Sequence, residues 1–471
     1  MEILHVSAEC YPMAKVGGLG DVVGALPKYQ NQLGAISKVV MPAYRTKFFS
    51  ENEWEIKHEG DVSLRNIPIH FKILKEKTNK LGFDLYLVDV YNMLDTPNPY
   101  GYGNDAERFI VFQQAVLSWV SAWNHRPDVI HCHDHHSGLI PFMMNCCPAF
   151  QSLKNIPTVF TIHSAQYQGW LGWDHADLLP SYDVYKWYLL EWKGVINPMA
   201  SAIKCCWRFT TVSPGYLKEL FYDANGLEEL ISYERKKATG ILNGIDSQVW
   251  NPEADAMIET TYSRESVNKG KRKNKAALCE TFHLDPDQPL ISYVGRLVPE
   301  KGADLLAESI RKSLANHPGR VNFLVLGSGA DFIENSLKEI IHQWSGSFNC
   351  YIGYHEKLSH LIYAGSDLII MPSRVEPCGL NQLYALRYGT IPIVRSTGGL
   401  RDTVKDFSKK KGFGIRFDHA TVNDICAAVD RALELFNDTE KLNDLRKKIM
   451  EFDHSWDTSA KEYLDLYESL R

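Results

Sequence analysis

Three loops in this sequence combine glycines with charged side chains, which suits the binding of a phosphorylated ligand. Their residues are Lys15, Gly17 and Gly18 in the first loop, Arg296 and Lys301 in the second, and Glu376 and Gly379 in the third. Glycines let backbone N–H groups approach a phosphate, and fixed cations form charge-assisted hydrogen bonds worth roughly 1.5–3 kcal/mol each. Surface salt bridges would explain the two cations equally well, so both interpretations stay open.

Each of these loops is predicted to connect a buried strand to a helix. The predicted strands include Ile3–Val6, Val129–His131, Thr158–Ile162, Leu290–Val294, Leu368–Met371 and Ile391–Val394. The first helix is expected to run from about Asp21, another to follow Leu380, and a third to start at Arg401-Asp402. Two successive strand–helix series predict an α/β protein with two doubly wound, Rossmann-like domains facing across a cleft.

Length and composition set the protein class. A chain of 471 residues is too long for one ordinary core, so two domains of about 200 residues each are expected. A net charge of −6 gives no reason to expect nucleic acid or membrane as a partner. Ten cysteines without a CxxC pair are interpreted as reduced, mostly buried thiols. The N-terminus opens on a strand and no apolar run of about 18 residues occurs, so a cytoplasmic protein is expected.

The segment DVIHCHDHHSGL suggests a metal site, because four histidines and an aspartate lie within six of its residues. Hydrolytic zinc sites of the HxHxDH type need an aspartate next to the last histidine, whereas Asp134 directly follows His133. A polar loop at the carboxyl edge of a parallel sheet is the simpler interpretation. No metal is therefore expected.

Two further stretches bear on the function class. The GxGxxG fingerprint is absent, so an NAD enzyme is disfavoured. The basic run within 259–275 lacks interleaved aromatic residues, so it is interpreted as a solvated face or loop and not as a nucleic-acid site.

Several of these segments resemble the signature motifs of bacterial glycogen synthases and plant starch synthases. The segments are KVGGLGDVVGALP, DVIHCHDHHSGL, GRLVPEKG and PSRVEPCGLNQLYALRYGTIPIVRSTGGL, which occur in the family order along nearly the whole chain. The sequence has His135, Ser164 and Asn381 where the family has Trp, Asn and Thr. The resemblance implies the GT-B glycosyltransferase fold, with an acceptor domain at 1–240, a nucleotide-sugar domain at 241–455, and a terminal helix at 456–471 that crosses back to the first domain.

The resemblance also implies roles for individual residues. The implied catalytic residues are Lys15, His163, Arg296, Lys301 and Glu376. The implied substrate-binding residues are Gly17, Gly18, Asp21, Asp134, Asn243, Tyr354, Cys378, Gly379, Leu380 and Asn381. In this scheme His163 would touch the transferred glucose and Tyr354 would stack on the nucleotide base.

The implied reaction transfers glucose from ADP-glucose to the non-reducing 4-hydroxyl of an α-1,4-glucan, glycogen or a malto-oligosaccharide, with retained configuration and no cofactor. No carboxylate nucleophile can be identified in the sequence, so front-face transfer assisted by the leaving phosphate is preferred over double displacement. The alternatives are a UDP-glucose-dependent glucan synthase, a transferase with a small sugar acceptor, and a catalytically silent glucan-binding relative.

Overall fold

The computed structural model describes all 471 residues, Met1–Arg471, and the chain forms two compact units. Unit 1 contains Met1–Asn243 and Trp456–Arg471, and unit 2 contains Gly244–Ser455. None of the helices combines the length and the apolar character that crossing a membrane requires. All ten cysteines are free, and eight of them are buried, as expected from their scattered spacing.

Unit 1 is built on a nine-stranded sheet in the order β11-β10-β7-β6-β1-β2-β5-β4-β3. The strands of this unit are β1 Glu2–Val6, β2 Ile36–Pro42, β3 Trp54–Leu64, β4 Ile67–Glu76, β5 Asp84–Asp89, β6 Val129–His133, β7 Thr158–Ile162, β8 Glu191–Trp192, β9 Val195–Ile196, β10 Arg208–Thr211 and β11 Ala238–Gly240. All pairings are parallel except β3 with β4 and β4 with β5, and β8 and β9 form a separate hairpin. Most residues of the parallel strands β1, β2, β6, β7 and β10 are buried, because both faces of this part of the sheet are covered.

Seven helices accompany this sheet along the first part of the chain. They are α1 Gly18–Gln32, α2 Lys47–Glu51, α3 Asp105–Ser121, α4 Ile140–Cys146, α5 Pro198–Cys205, α6 Pro214–Leu220 and α7 Glu228–Tyr233. Two of them start with a proline that follows a capping side chain: Asn197 accepts from the N–H of Ala200, and Ser213 accepts from that of Tyr216. The sequence therefore fixes these two helix starts locally.

Unit 2 is a six-stranded, fully parallel sheet in the order β14-β13-β12-β15-β16-β17. Its strands are β12 Leu290–Val294, β13 Asn322–Gly327, β14 Phe348–Ile352, β15 Leu368–Met371, β16 Ile391–Arg395 and β17 Ile415–Phe417. Its helices are α8 Val267–Phe282, α9 Leu306–Asn316, α10 Asp331–Ile341, α11 Glu356–Gly365, α12 Asn381–Arg387, α13 Gly398–Thr403, α14 Val422–Phe436 and α15 Thr439–Ile449. The last helix, α16 (Trp456–Glu468), belongs to unit 1 and packs against α1.

Two predictions about helix starts were wrong. The first helix begins at Gly18 and not near Asp21, and α13 begins at Gly398 and not at Arg401. In both cases the helix includes glycines that the sequence pattern places in the preceding turn. The basic run, expected to be a solvated face or a loop, lies on α8, where Lys269, Arg272 and Lys273 are exposed but Lys271 and Lys275 are buried.

The strand order of each sheet reverses at one point, and this point positions the candidate site. In unit 2 the reversal lies between β12 and β15, and in unit 1 it lies between β1 and β6. At such a reversal the loops leaving neighbouring strands diverge to opposite faces of the sheet, which leaves a crevice at the carboxyl edge. The loops that follow these four strands carry most of the residues implied by the family resemblance.

Candidate active site

A partly buried ion pair joins the two loops at the reversal point of unit 2. Lys301 Nζ lies 2.7 Å from Glu376 Oε1, and Ser373 Oγ donates to Glu376 Oε2 at 2.9 Å. The Glu376 side chain is 8% exposed and that of Lys301 is 24% exposed. Both carboxylate oxygens are thus engaged, while the ammonium has two further N–H groups for another acceptor.

Two glycines allow the close approach that this pair needs. Gly302 has φ +67°, and a Cβ there would lie 2.1 Å from the carbonyl oxygen of Pro372. Gly398 has φ +44°, and a Cβ there would lie 2.0 Å from the carbonyl oxygen of Glu376. Any larger residue at either position would push the loop that carries Glu376 away from its neighbours.

The remaining residues predicted for unit 2 flank this ion pair in sequence but differ in exposure. Arg296 is about half exposed, with its guanidinium 3.9 Å from Glu300 Oε2, and Tyr354 is 73% exposed. Asn381 Nδ2 donates to the carbonyl of Val294 at 2.6 Å, so this departure from the family pattern ties α12 to the end of β12. Both groups are exposed to water, so a ligand could contact them at low desolvation cost.

Three neighbouring positions of the third loop complete this part of the site. Cys378 is buried, Gly379 has φ +76°, and Leu380 immediately precedes α12. The carbonyl groups of Cys378 and Gly379 both accept from Gln382 Nε2. Gln382 therefore fixes the backbone course of this loop, a role that the sequence did not suggest.

The glycine loop of unit 1 is organised by Glu9, a residue that no sequence motif indicated. Glu9 Oε2 accepts from the N–H groups of Val16 at 2.6 Å and Gly17 at 3.1 Å, and Oε1 accepts from Tyr100 Oη at 2.6 Å. Burial raises the pKa of the Glu9 carboxyl, although these hydrogen bonds oppose that shift. Because the Gly17 N–H is already engaged, Gly18 at the start of α1 is the glycine of this pair that can face a ligand.

Lys15 and Asp21 lie together at the same loop. Their charged groups are 2.7 Å apart, and both side chains are partly exposed at 32% and 23%. A Cβ built on Gly17 or Gly18 would meet nothing within 4 Å, so the space beside the start of α1 is open. A cation, an exposed helix N-terminus and open space are the elements of an anion site.

The ends of β6 and β7 bring Asp134 and His163 together. Asp134 Oδ1 accepts from the His163 N–H at 2.8 Å, and Asp134 itself adopts φ +55°. Burial raises the pKa of Asp134 to about 7 and lowers the pKa of His163 to about 3. At neutral pH His163 is therefore an uncharged ring that can exchange hydrogen bonds with a sugar without bringing a positive charge.

The two other departures from the family pattern lie near this pair. His135 Nδ1 is 3.1 Å from the carbonyl oxygen of Tyr167, and its ring centroid lies 3.8 Å from that of His136. Ser164 Oγ accepts from the N–H of Gln166 at 3.3 Å. Both side chains thus stabilise the loop after β7.

Asn243, the last residue of the first segment of unit 1, is 8% exposed, and its buried Oδ1 has no hydrogen-bond partner.

A cluster of histidines lies beneath His163 in the sheet of unit 1. His5 on β1 pairs in register with His131 on β6, and His133 lies two residues further along the same face. Ring nitrogens of these three residues lie within 4.8 Å of one another. The sequence contained a signal for this cluster, because histidines spaced by two residues on a strand share a face. His5, which completes the group, could be placed only once the strand pairing was known.

The predicted site residues therefore form two groups, one in each unit. The unit 1 group comprises Lys15, Gly17, Gly18, Asp21, Asp134, His163 and Asn243. The unit 2 group comprises Arg296, Lys301, Tyr354, Glu376, Cys378, Gly379, Leu380 and Asn381. Most members of each group lie in loops at the carboxyl edge of a parallel sheet, where α/β proteins bind their ligands.

Comparison with known proteins places this arrangement in a family. Residues 2–233 match the family described as the starch synthase catalytic domain, and residues 277–451 match the family described as glycosyl transferases group 1. A glycogen synthase of Flavobacterium johnsoniae is 53% identical over 467 residues, which cover 99% of this chain and 98% of that protein. A glycogen synthase of Geobacillus stearothermophilus is 37% identical over 100% of this chain and 98% of that protein.

Solved structures agree with these matches. The catalytic domain of starch synthase IV from Arabidopsis thaliana, bound to ADP and acarbose, superimposes with a TM-score of 0.91 at 31% identity, covering 100% of this chain and 99% of that one. A sucrose-phosphate synthase from Thermosynechococcus elongatus shares the fold, with a TM-score of 0.63 at 16% identity over 99% of this chain and 98% of that one. The chain belongs to the family of glycogen and starch synthases, which are glycosyltransferases with the GT-B fold.

Proposed function

We propose that this protein transfers the glucosyl group of ADP-glucose to the 4-hydroxyl at the non-reducing end of an α-1,4-glucan, with retention of the anomeric configuration. Glycogen or a malto-oligosaccharide is the acceptor. The observation that carries the proposal is the Lys301–Glu376 pair at the reversal point of unit 2, since it places a cation with unused donors beside a buried carboxylate. The ADP bound to the Arabidopsis starch synthase domain supports the choice of donor nucleotide.

In this proposal the cations of unit 2 act on the leaving diphosphate. Negative charge grows on the diphosphate as its bond to C1 breaks, so Arg296 and the two remaining N–H groups of Lys301 bind the transition state more tightly than the ground state. The backbone at Gly379-Leu380 assists. Exposed Tyr354 stacks on the base. Because two fixed cations compensate the diphosphate charge, this scheme needs no metal ion.

Glu376 and the polar residues of unit 1 hold the sugar. Glu376 and His163 bind glucosyl hydroxyls and help to bear the positive charge that develops at C1. Lys15 and the start of α1 at Gly18 add charge stabilisation, while Asp134 fixes the backbone at His163 through its 2.8 Å hydrogen bond. Asn243 also takes part in holding the sugar, because its buried side-chain carbonyl oxygen has no hydrogen-bond donor within the protein.

Retention follows from transfer on one face of the sugar. The bond between C1 and the diphosphate oxygen breaks, a bond from the acceptor 4-oxygen to C1 forms on the same face, and the acceptor proton passes to the departing phosphate oxygen. A double displacement would need a carboxylate beneath C1. Glu376 is assigned to hydroxyl binding, because its two oxygens already accept from Lys301 and Ser373.

The test is nucleotide release by the purified protein with a glucan primer, comparing ADP-glucose with UDP-glucose in the presence of a metal chelator. We expect primer-dependent release that is much faster with ADP-glucose and insensitive to the chelator. A preference for UDP-glucose would overturn the choice of donor but leave the proposed transfer reaction unchanged. No release from either donor by folded protein would overturn the proposed function.

A further inference from the structure

Four buried side chains of unit 1 form one continuous hydrogen-bonded chain that ends at His163. Gln30 Oε1 is 2.8 Å from His5 Nε2, His5 Nδ1 is 3.0 Å from His133 Nε2, and His133 Nδ1 is 3.0 Å from His163 Nε2. Gln30, His5 and His133 are fully buried, and His163 is 9% exposed. This hydrogen-bonded chain of side chains thus runs from α1 through β1 and β6 to the end of β7.

Every ring in this chain is uncharged at neutral pH. Burial lowers the pKa of His5 to about 4, that of His133 well below its usual value, and that of His163 to about 3. A neutral imidazole carries one proton, so it donates through one nitrogen and accepts through the other. Hence all three rings must point their protons in the same direction along the chain, and only two such arrangements exist.

The contacts of Gln30 select between the two arrangements. Ser37 Oγ donates to Gln30 Oε1 at 2.7 Å, and Gln30 Nε2 donates to Tyr467 Oη on α16 at 3.2 Å. The amide oxygen therefore faces His5 as an acceptor, and His5 Nε2 carries the proton. His5 Nδ1 must then accept from His133 Nε2, and His133 Nδ1 must accept from His163 Nε2.

We propose that this chain holds His163 as the tautomer protonated at Nε2, so that its Nδ1 is a hydrogen-bond acceptor that selects donors carrying a hydroxyl group at the contacted sugar position. The proposal rests on the proposed function, in which His163 contacts the transferred glucose. Gln30, His5 and His133 are positioning residues, since they act only through His163. A site built to accept a hydroxyl proton discriminates strongly against analogues that lack it.

His131 lies among these rings but bonds to none of them, and it reaches the hydrogen-bonded chain only through Tyr467 Oη. That hydroxyl can accept from Gln30 without His131, which makes His131 a matched control. Its centroid is 4.2 Å from that of His133, yet its nitrogens bond to Tyr467 Oη and Thr161 Oγ1, each at 2.6 Å. These bonds, together with the proton shared by His5 and His133, also weigh against a metal ion in the cluster. A cation would need lone pairs that the hydrogen bonds already use.

The direct test is the tautomer of His163 in the wild-type protein. Two-bond ¹H–¹⁵N spectra of histidine-labelled protein separate protonated from unprotonated ring nitrogens, and His163→Gln identifies the signals of interest. We expect Nε2 protonated and Nδ1 unprotonated. A protonated Nδ1, or a metal ion bound stoichiometrically to the purified protein, would overturn the proposal.

The functional test compares His133→Phe, His5→Phe and the control His131→Phe with fluorinated donors, each lacking one glucosyl hydroxyl. We expect one fluorinated donor to lose about tenfold or more in kcat/KM with wild-type protein. This loss shrinks in His133→Phe and His5→Phe, and His163 shows mixed tautomers there, whereas His131→Phe behaves as wild type. Unchanged discrimination in folded His133→Phe and His5→Phe would refute the proposal.

His163→Ala separates this inference from the proposed function. Full activity of His163→Ala would show that the assigned contact with glucose is wrong, and discrimination by a tautomer would fall with it. Low activity of His163→Ala together with unchanged discrimination in His133→Phe would leave the proposed function intact and refute only the role of the hydrogen-bonded side chains.

Discussion

The Lys301–Glu376 pair offers a test that separates a catalytic role from a structural one. Lys301→Met leaves the Glu376 carboxylate nearly buried with Ser373 as its remaining side-chain partner. Removing one partner of a fully buried pair costs about 3–5 kcal/mol. Because the Lys301 side chain is 24% exposed, we expect a loss of about 2–3 kcal/mol in the free energy of unfolding.

The other variants complete a double-mutant cycle. Glu376→Gln should cost about 1 kcal/mol, because the Lys301 ammonium can turn towards water. The double variant Lys301→Met/Glu376→Gln buries no charge, so its loss should be about 2 kcal/mol smaller than the sum of the single losses. Turnover should behave differently, since all three variants should lose on the order of 10²–10³ in kcat.

The measurements are urea denaturation and nucleotide release below the unfolding transition. Asp304→Asn is the control, because it breaks the nearby ion pair with Arg374, whose guanidinium lies 2.6 Å from Asp304 Oδ1. It should lower stability by about 1 kcal/mol and leave kcat within a few-fold. Recovery of both stability and turnover in the double variant would refute our reasoning, since it would show that the pair only holds two loops together.

Three further predictions follow from buried charges. Glu9→Ala should raise KM for the donor and lower the free energy of unfolding by about 2 kcal/mol, because it leaves the Gly17 N–H without its acceptor. Glu9→Gln should retain most activity, and enzyme kinetics with urea denaturation measure both effects. Lys271→Met should cost about 2–4 kcal/mol of unfolding free energy without lowering the kcat of folded protein, and exposed Lys273→Met should cost nothing measurable. The pKa of Asp134 is raised to about 7, so the folded protein binds one more proton than the unfolded chain between about pH 4 and 7, and stability falls as the pH rises through that window. Asp134→Asn should reduce this fall, which denaturation at pH 5 and at pH 8 measures.

The parallel strands were predictable because they are continuous apolar runs bounded by turns. Thr158–Ile162, Leu290–Val294 and Leu368–Met371 have the predicted bounds, since buried parallel strands leave a strong local signal. Helix starts were less predictable. α13 begins at Gly398 because the Glu376 carbonyl oxygen lies too close for a Cβ there, and that approach is a tertiary feature. α1 begins at Gly18, where a Cβ would meet nothing within 4 Å, so close packing does not explain this start.

The supporting contacts of the site could not be predicted, because they join distant parts of the chain. Glu9 is separated by more than 90 residues from Tyr100, and His5 by 128 residues from His133. Only the register of β1 on β6 and the reversal of strand order bring such residues together. A single sequence carries no periodicity that could reveal these pairs.

Hydrogen-bond saturation explains why the buried Lys271 is structural whereas the partly exposed Lys301 suits a ligand. Lys271 Nζ lies within 3.3 Å of the carbonyls of Tyr363, Ala364 and Tyr388 and 2.6 Å from Thr390 Oγ1, so its three N–H groups are fully used. Lys301 Nζ contacts a single carboxylate, and its side chain keeps access to water. Composition alone does not distinguish these two lysines. Only Lys301 can exchange a bound water molecule for a phosphate oxygen without losing hydrogen bonds that hold the fold. The number of unused donors, and not the density of basic residues along the sequence, therefore identifies the cation of the candidate site.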